Sequence, residues 1–216
     1  MQNFSYLVQK PQQARSHKTM NQILNAAAKI LEKKTFQDLT IAEVVKNAHT
    51  SVGAFYGRFK DKEALLQALD ERFFQEFEEA INALLAPSHW EGKSIAYIIK
   101  DVTRLIAHTY SKDKGVIRSL NLKARLSGDS LLISREQRAW NVLYPRFQEI
   151  LLSHQEKINC PNPALAIQLG FKQMFYCMRE ILLWEPLRKE PPYNKDELIS
   201  ELTRAYLSYL GVKETN

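Results

Sequence analysis

The chain is poor in cysteine, poor in glycine and without a long apolar run. Its two cysteines, Cys160 and Cys177, are too few for a disulfide scaffold and read as reduced thiols of a cytoplasmic protein. Seven glycines, with few runs of β-branched residues, argue against an all-β fold. Uncharged apolar runs reach only about three to five residues, far short of the roughly 20 that a membrane span needs. The opening MQNFSYLVQKPQQARSHK lacks the apolar stretch of a secretory signal. There is no Gly-rich phosphate loop, GxSxG, HExxH or CxxC motif. The histidines at 17, 49, 89, 108 and 154 fall in no metal-ligand spacing. The expectation is a non-enzyme without cofactor or metal.

What is present is helix-forming sequence and a one-sided charge. The net charge is +6, and residues 1–62 hold ten Lys and Arg against four Asp and Glu, whereas residues 63–216 hold twenty of each. The whole excess sits in the first 62 residues. That polarity suits a module that meets a polyanion, although a solvated basic face has the same composition.

Apolar residues recur at helical spacing almost throughout. Ile23, Leu24, Ala27, Ala28 and Leu31 predict a first helix over 17–33. Thr40-Ile-Ala-Glu43 is a capping box that opens a short second helix with Ile41, Val44 and Val45 inward. Ala48-His49-Thr50 makes a turn, and Ser51 caps a third helix running to about Arg58. Asp61 caps a long fourth helix, striped by Leu65, Leu66, Leu69, Phe73, Phe77 and Ile81, that ends near Leu85. Residues 86–92, with Pro87 and Gly92, read as a linker. Further helices are predicted over 94–110, 114–126, 130–154, 163–185 and 195–210. Pro145 predicts a kink in the third of these, and Pro186, Pro191 and Pro192 end the fourth. The fold class is all-α, with about nine helices. A basic arm (1–16) and a three-helix helix-turn-helix head (17–70) precede a larger helical body (71–216).

Two short helices joined by a three-residue turn, behind a supporting helix, form a helix-turn-helix unit over about 40–59. Four runs carry a more specific resemblance. They are Ile23-Leu-Asn-Ala-Ala-Ala28, Leu39-Thr-Ile-Ala-Glu-Val44, Ser51-Val-Gly-Ala-Phe-Tyr-Gly-Arg-Phe59 and Lys60-Asp-Lys-Glu-Ala-Leu-Leu66. Their order and spacing resemble the tetracycline-repressor (TetR) family of bacterial regulators over about residues 17–70. His49 and Thr50 depart from it, standing where the family usually has Gly and an apolar residue.

The residues themselves suit a groove-reading helix. Val52, Gly53 and Ala54 present small side chains in its first turn, so its backbone can approach DNA closely. Thr40 and Ser51 are caps that also suit phosphate contact. Lys62 opposes the macrodipole at its helix start, a cost that a bound phosphate would relieve. Arg58 suits a phosphate or a base edge. The resemblance implies that Tyr56 and Lys62 contact phosphate, that Phe59 is core and that Phe55 partly faces the bases. Lys10, Arg15, His17 and Lys18 suit either a solvated arm or one that touches DNA.

In the body, Ile167, Phe171, Met174, Phe175, Met178, Ile181 and Leu182 form a broad stripe, widened by Leu165, Leu169 and Tyr176. Leu202, Tyr206 and Tyr209 stripe the last helix. The resemblance implies that these last two helices form a four-helix homodimer interface. Ile167, Phe171, Met174, Met178, Ile181, Leu202, Tyr206 and Tyr209 are its candidate residues. It also implies a small-molecule effector inside the body that alters the spacing of two heads. Trp140, Tyr144, Phe147, Phe171 and Phe175 are candidate pocket aromatics, with His108, Arg125 and Arg179 as polar candidates, although such a stripe also suits plain core. The resulting expectation is a repressor that binds a palindromic operator as a homodimer and is released by an effector. A helical protein-binding adaptor is the alternative, and it leaves the charge confined to residues 1–62 without a cause.

Overall fold

The computed structural model describes residues 14–127, 130–184 and 193–212. Most of the basic arm, including Lys10, and Pro186, Pro191 and Pro192 lie outside the described residues. Among those described, all regular structure is helical. Ten α-helices follow in order: α1 (Ala14–Leu31), α2 (Ile41–Asn47), α3 (Val52–Tyr56), α4 (Lys62–Leu84) and α5 (Pro87–Trp90), then α6 (Ile95–Lys112), α7 (Lys114–Ser127), α8 (Ser130–Leu152), α9 (Pro163–Leu183) and α10 (Lys195–Tyr209). The first helix begins earlier than expected, so residues 14–16 belong to it rather than to an arm. The expected linker contains the short helix α5, whose Trp90 is buried. On α4 it is Phe74 that is buried, at 7% exposure, whereas Phe73 and Phe77 are half-buried. α8 runs through Pro145. No helix among the described residues is long and apolar enough to cross a membrane.

The chain divides into two compact units. The first comprises residues 1–75 and 113–133. Its core joins Ile23, Leu24, Ala27 and Leu31 of α1 with Val44 and Val45 of α2, Phe55 of α3, and Leu65, Leu66 and Leu69 of α4. Val116 and Leu120 of α7 complete it. The head therefore recruits a helix from more than forty residues downstream of the 17–70 segment. Gly115 is why α7 can come so close, because a side chain there would strike the backbone of Leu31.

The second unit comprises residues 76–112 and 134–216. In it α6, α9 and α10 pack on one another. α6 buries Ile95, Ile98, Ile99, Val102, Ile106 and Ala107, the stripe of an amphipathic helix. α9 meets α10 at Gly170, where a Cβ would lie 2.1 Å from the Tyr206 ring. The Tyr206 hydroxyl donates to the Ile167 carbonyl, and burial drives its pKa far above the ordinary tyrosine range.

Candidate nucleic-acid interface

α2 and α3 form two short, separately capped helices. Thr40 caps α2: its hydroxyl accepts from the Glu43 amide at 3.3 Å and donates to Glu43 Oε2 at 3.1 Å. Glu43 thus reaches back to the Thr40 hydroxyl rather than to its amide, and its other oxygen takes an ion pair from Lys34. The Lys34 hydrogen bond, with that of Thr40, holds the Glu43 carboxyl below its ordinary pKa. Ser51 caps α3, accepting from the Ala54 amide at 3.1 Å.

Between them His49 adopts the left-handed conformation at φ 51°, which closes the turn. Its amide donates to Lys46 and that of Thr50 to Val45. This is the strain expected where histidine replaces glycine.

Thr40, Ser51, Val52, Gly53 and Tyr56 are exposed and Ala54 is half-buried. Val52 at 49% and Tyr56 at 54% are left in solvent on a five-residue helix. A Cβ on Gly53 would meet nothing nearer than Ser51 Oγ at 3.9 Å, and its φ is not positive. Nothing within the protomer therefore requires a glycine there.

Three expected DNA contacts are placed differently. Phe55 is 0% exposed, with its ring 5.4 Å from that of Phe59. Its position on the inward side of so short a helix makes it core, which corrects the expectation that it faces bases. Arg58 is half-buried and spends its guanidinium inside the head. Its Nη1 donates to the Ala54 carbonyl at 2.7 Å and its Nη2 to Ser16 Oγ at 3.1 Å. Lys62, also half-buried, donates to the carbonyls of Phe36 at 3.3 Å and Gln37 at 3.1 Å and lies over the Phe36 ring.

In the body, the aromatic candidates do gather. Trp140 lies 4.7 Å from Phe175, 5.2 Å from Phe171, 6.0 Å from Tyr176 and 6.4 Å from Tyr144, centroid to centroid. Phe147 packs on Phe171 at 5.0 Å. The Tyr144 hydroxyl is sealed from solvent with no hydrogen-bond partner, and burial raises its pKa. The Arg179 guanidinium lies 4.8 Å over the Tyr176 ring. His108 and Arg125 are exposed and are corrected as pocket residues. His108 falls off the buried stripe of α6, and Arg125 lies beside buried Ala124 on α7 but is itself exposed.

The expected dimer residues need a larger correction. Ile167, Phe171, Met174, Met178 and Tyr206 are at most 3% exposed in the single chain, so they fill the protomer's own core. Thr103 Oγ1 even donates to Met174 Sδ at 2.9 Å. Ile181 and Leu202 are half-buried, and Tyr209 is 42% exposed. The large apolar residues left outside on these two helices are Leu165 (55%), Leu169 (41%) and Tyr176 (44%) on α9, with Tyr209 on α10. The first three recur at helical spacing on one face. Sequence periodicity registered both stripes of α9 but not which of them the protomer covers.

The geometry defines an all-helical chain with a helix-turn-helix head whose second short helix exposes a small-residue face. Residues 23–69 match the model of the family described as bacterial regulatory proteins, tetR family. No curated protein matches the chain. Among solved structures, a TetR-family transcriptional regulator from Mesorhizobium loti MAFF303099 is similar. It is 18% identical, with a TM-score of 0.66, over 92% of this chain and 98% of that one. The fatty acid degradation regulator FadR from Bacillus halodurans is 17% identical, with a TM-score of 0.66, over 94% and 100%. A transcriptional regulator from Aquifex aeolicus VF5 is 19% identical, with a TM-score of 0.58, over 87% and 96%. The head segment is that of the TetR family, and the chain has the fold of TetR-family transcriptional regulators.

Proposed function

We propose that the protein is a DNA-binding transcriptional repressor that grips a palindromic operator as a homodimer and is released by a small molecule bound in its body. The observation that carries the DNA reading is the outward face of α3. Gly53 has no intramolecular reason to be glycine, and it stands between exposed Val52 and Tyr56. A small, backbone-forward face flanked by hydroxyls suits entry into the major groove. Val52 and Ala54 would meet base edges and thymine methyls, and Thr40, Ser51 and Tyr56 would meet phosphates. The charge excess of residues 1–62 supplies the long-range attraction.

A two-fold dimer is supported by the exposed α9 stripe of Leu165, Leu169 and Tyr176, with Tyr209 of α10 also exposed. The effector reading rests on the ring cluster around Trp140. There the Tyr144 hydroxyl, buried and unpartnered, offers a hydrogen-bonding point in an apolar setting.

Selection of binding sites from genomic fragments, followed by sequencing, tests the main reading. The expected result is a two-fold symmetric site bound with a log–log salt slope of about −0.9 per phosphate neutralised. Equal, salt-independent retention of all fragments would overturn it.

A further inference from the structure

Resting on the dimer and effector readings above, we propose that Tyr176 belongs to both sites at once. A flat aromatic molecule carrying a hydrogen-bond acceptor takes the seat of the Tyr176 ring against Trp140 and thereby loosens the dimer. The outer stripe of α9 and the ring cluster around Trp140 are separate features of the second unit, and one side chain stands in each. Tyr176 is 44% exposed, on the α9 face of Leu165 and Leu169. Its ring centroid nevertheless lies 5.7 Å from that of Phe175, with the planes at 74°, and 6.0 Å from that of Trp140.

The rings of the cluster differ in how firmly they are held. Phe147 and Phe171 are 0% and 1% exposed and cannot leave without opening a hole in the core. Phe175 is half-buried and also touches Tyr110, Trp140 and Phe171. Tyr176 is the exposed member, an outer ring that another ring can replace, since an aromatic pair is worth roughly two- to tenfold in an equilibrium. The Arg179 guanidinium, 4.8 Å over the Tyr176 ring, can meet the face of an incoming aromatic in the same way. The acceptor follows from Tyr144. Its ring lies 6.4 Å from Trp140 and 5.7 Å from Phe171, and its hydroxyl is buried without a partner. A carbonyl oxygen on the incoming ring system would take that hydrogen bond, which an all-carbon ring cannot.

Displacement turns the Tyr176 side chain out of its place on the α9 face, and a two-fold seam feels the change from both copies. Ligand and second copy therefore compete for one arrangement of Tyr176. The effect is reciprocal by linkage: the factor that the ligand takes from association, association takes from ligand binding. Release of the operator then comes from weaker pairing of the two copies.

Coumarin, a flat bicyclic lactone, is the probe, with naphthalene as its counterpart without an acceptor. Calorimetry follows binding, and sedimentation equilibrium follows association. Saturating coumarin should weaken the wild-type dimer at least about fivefold. Tyr176→Ala vacates the seat: it should bind coumarin about three- to tenfold more tightly, and its association should no longer respond to the probe. Tyr176→Phe, which keeps the ring, should behave as wild type. Tyr144→Phe should lose about tenfold in coumarin affinity and nothing in naphthalene affinity. A dimer constant that saturating coumarin leaves unchanged would overturn the coupling. So would coumarin binding that Tyr176→Ala leaves unaltered, or no coumarin binding by either protein. A wild-type protein that is monomeric at every concentration defeats the dimer proposed above, whereas the response of coumarin binding to Tyr176→Ala and Tyr144→Phe still decides the seat.

Discussion

Gly115 lies against the backbone of Leu31: a Cβ on it would sit 2.4 Å from both the carbonyl carbon and oxygen of that residue. Through this contact α7 enters the core of the head, adding Val116 and Leu120. The obstacle is backbone at the end of α1, which cannot turn aside as a side chain can.

Gly115→Ala should therefore destabilise the head by about 2 kcal/mol, the scale of overpacking in a tight site. Urea denaturation followed by circular dichroism measures it. A wild-type midpoint for this variant would mean that α7 is not so closely held.

Gly53→Ala should behave in the opposite way. There is room for the methyl, and alanine favours helix, so stability should hold or rise by up to about 0.5 kcal/mol. Operator affinity, read by fluorescence anisotropy, should fall at least about tenfold, because the added methyl stands between the α3 backbone and the groove. A variant that is both stable and fully active would remove α3 as the close-approach element.

His49 at φ 51° carries strain that glycine would not. His49→Gly should stabilise the protein by about 0.5–1 kcal/mol, after the entropic cost of glycine is subtracted. Thermal melting with and without the substitution checks it, and a lowered midpoint would show that the imidazole contributes more than its backbone costs.

The outer stripe of α9 predicts a separable effect on assembly. Leu169→Glu places a charge on the exposed α9 face of Leu165 and Tyr176 and should give a folded monomer in sedimentation equilibrium. Met174→Ala, in contrast, removes a core side chain of 2% exposure. It should cost about 2–5 kcal/mol while leaving the oligomeric state as it was. Dimers that survive Leu169→Glu would place the interface elsewhere.

Much of the head could be read from the sequence because its signals are local. Thr40 and Ser51 cap helices through amides three residues on, and such caps are properties of a few adjacent residues. The positive φ at His49 was legible only through the family resemblance, which has Gly at that position. The assignments that shifted depend on which side of a helix finds a partner. Phe55 and Tyr56 are neighbours of similar size and periodicity, yet one is 0% and the other 54% exposed.

The sequence by itself determined nine of the ten described α-helices, the caps Thr40 and Ser51, the family resemblance of the head and the confinement of the net positive charge to residues 1–62. Those follow from short-range hydrogen bonding, periodicity and counting. Tertiary structure alone decided that α7 joins the head, that Met174 and Met178 face inward while Leu165 and Leu169 face out, and that Lys62 turns onto the Phe36 and Gln37 carbonyls. Each of these brings together residues distant in the chain or chooses between two apolar faces of one helix. Periodicity marks both faces alike, and only the packing of the other helices tells which is covered.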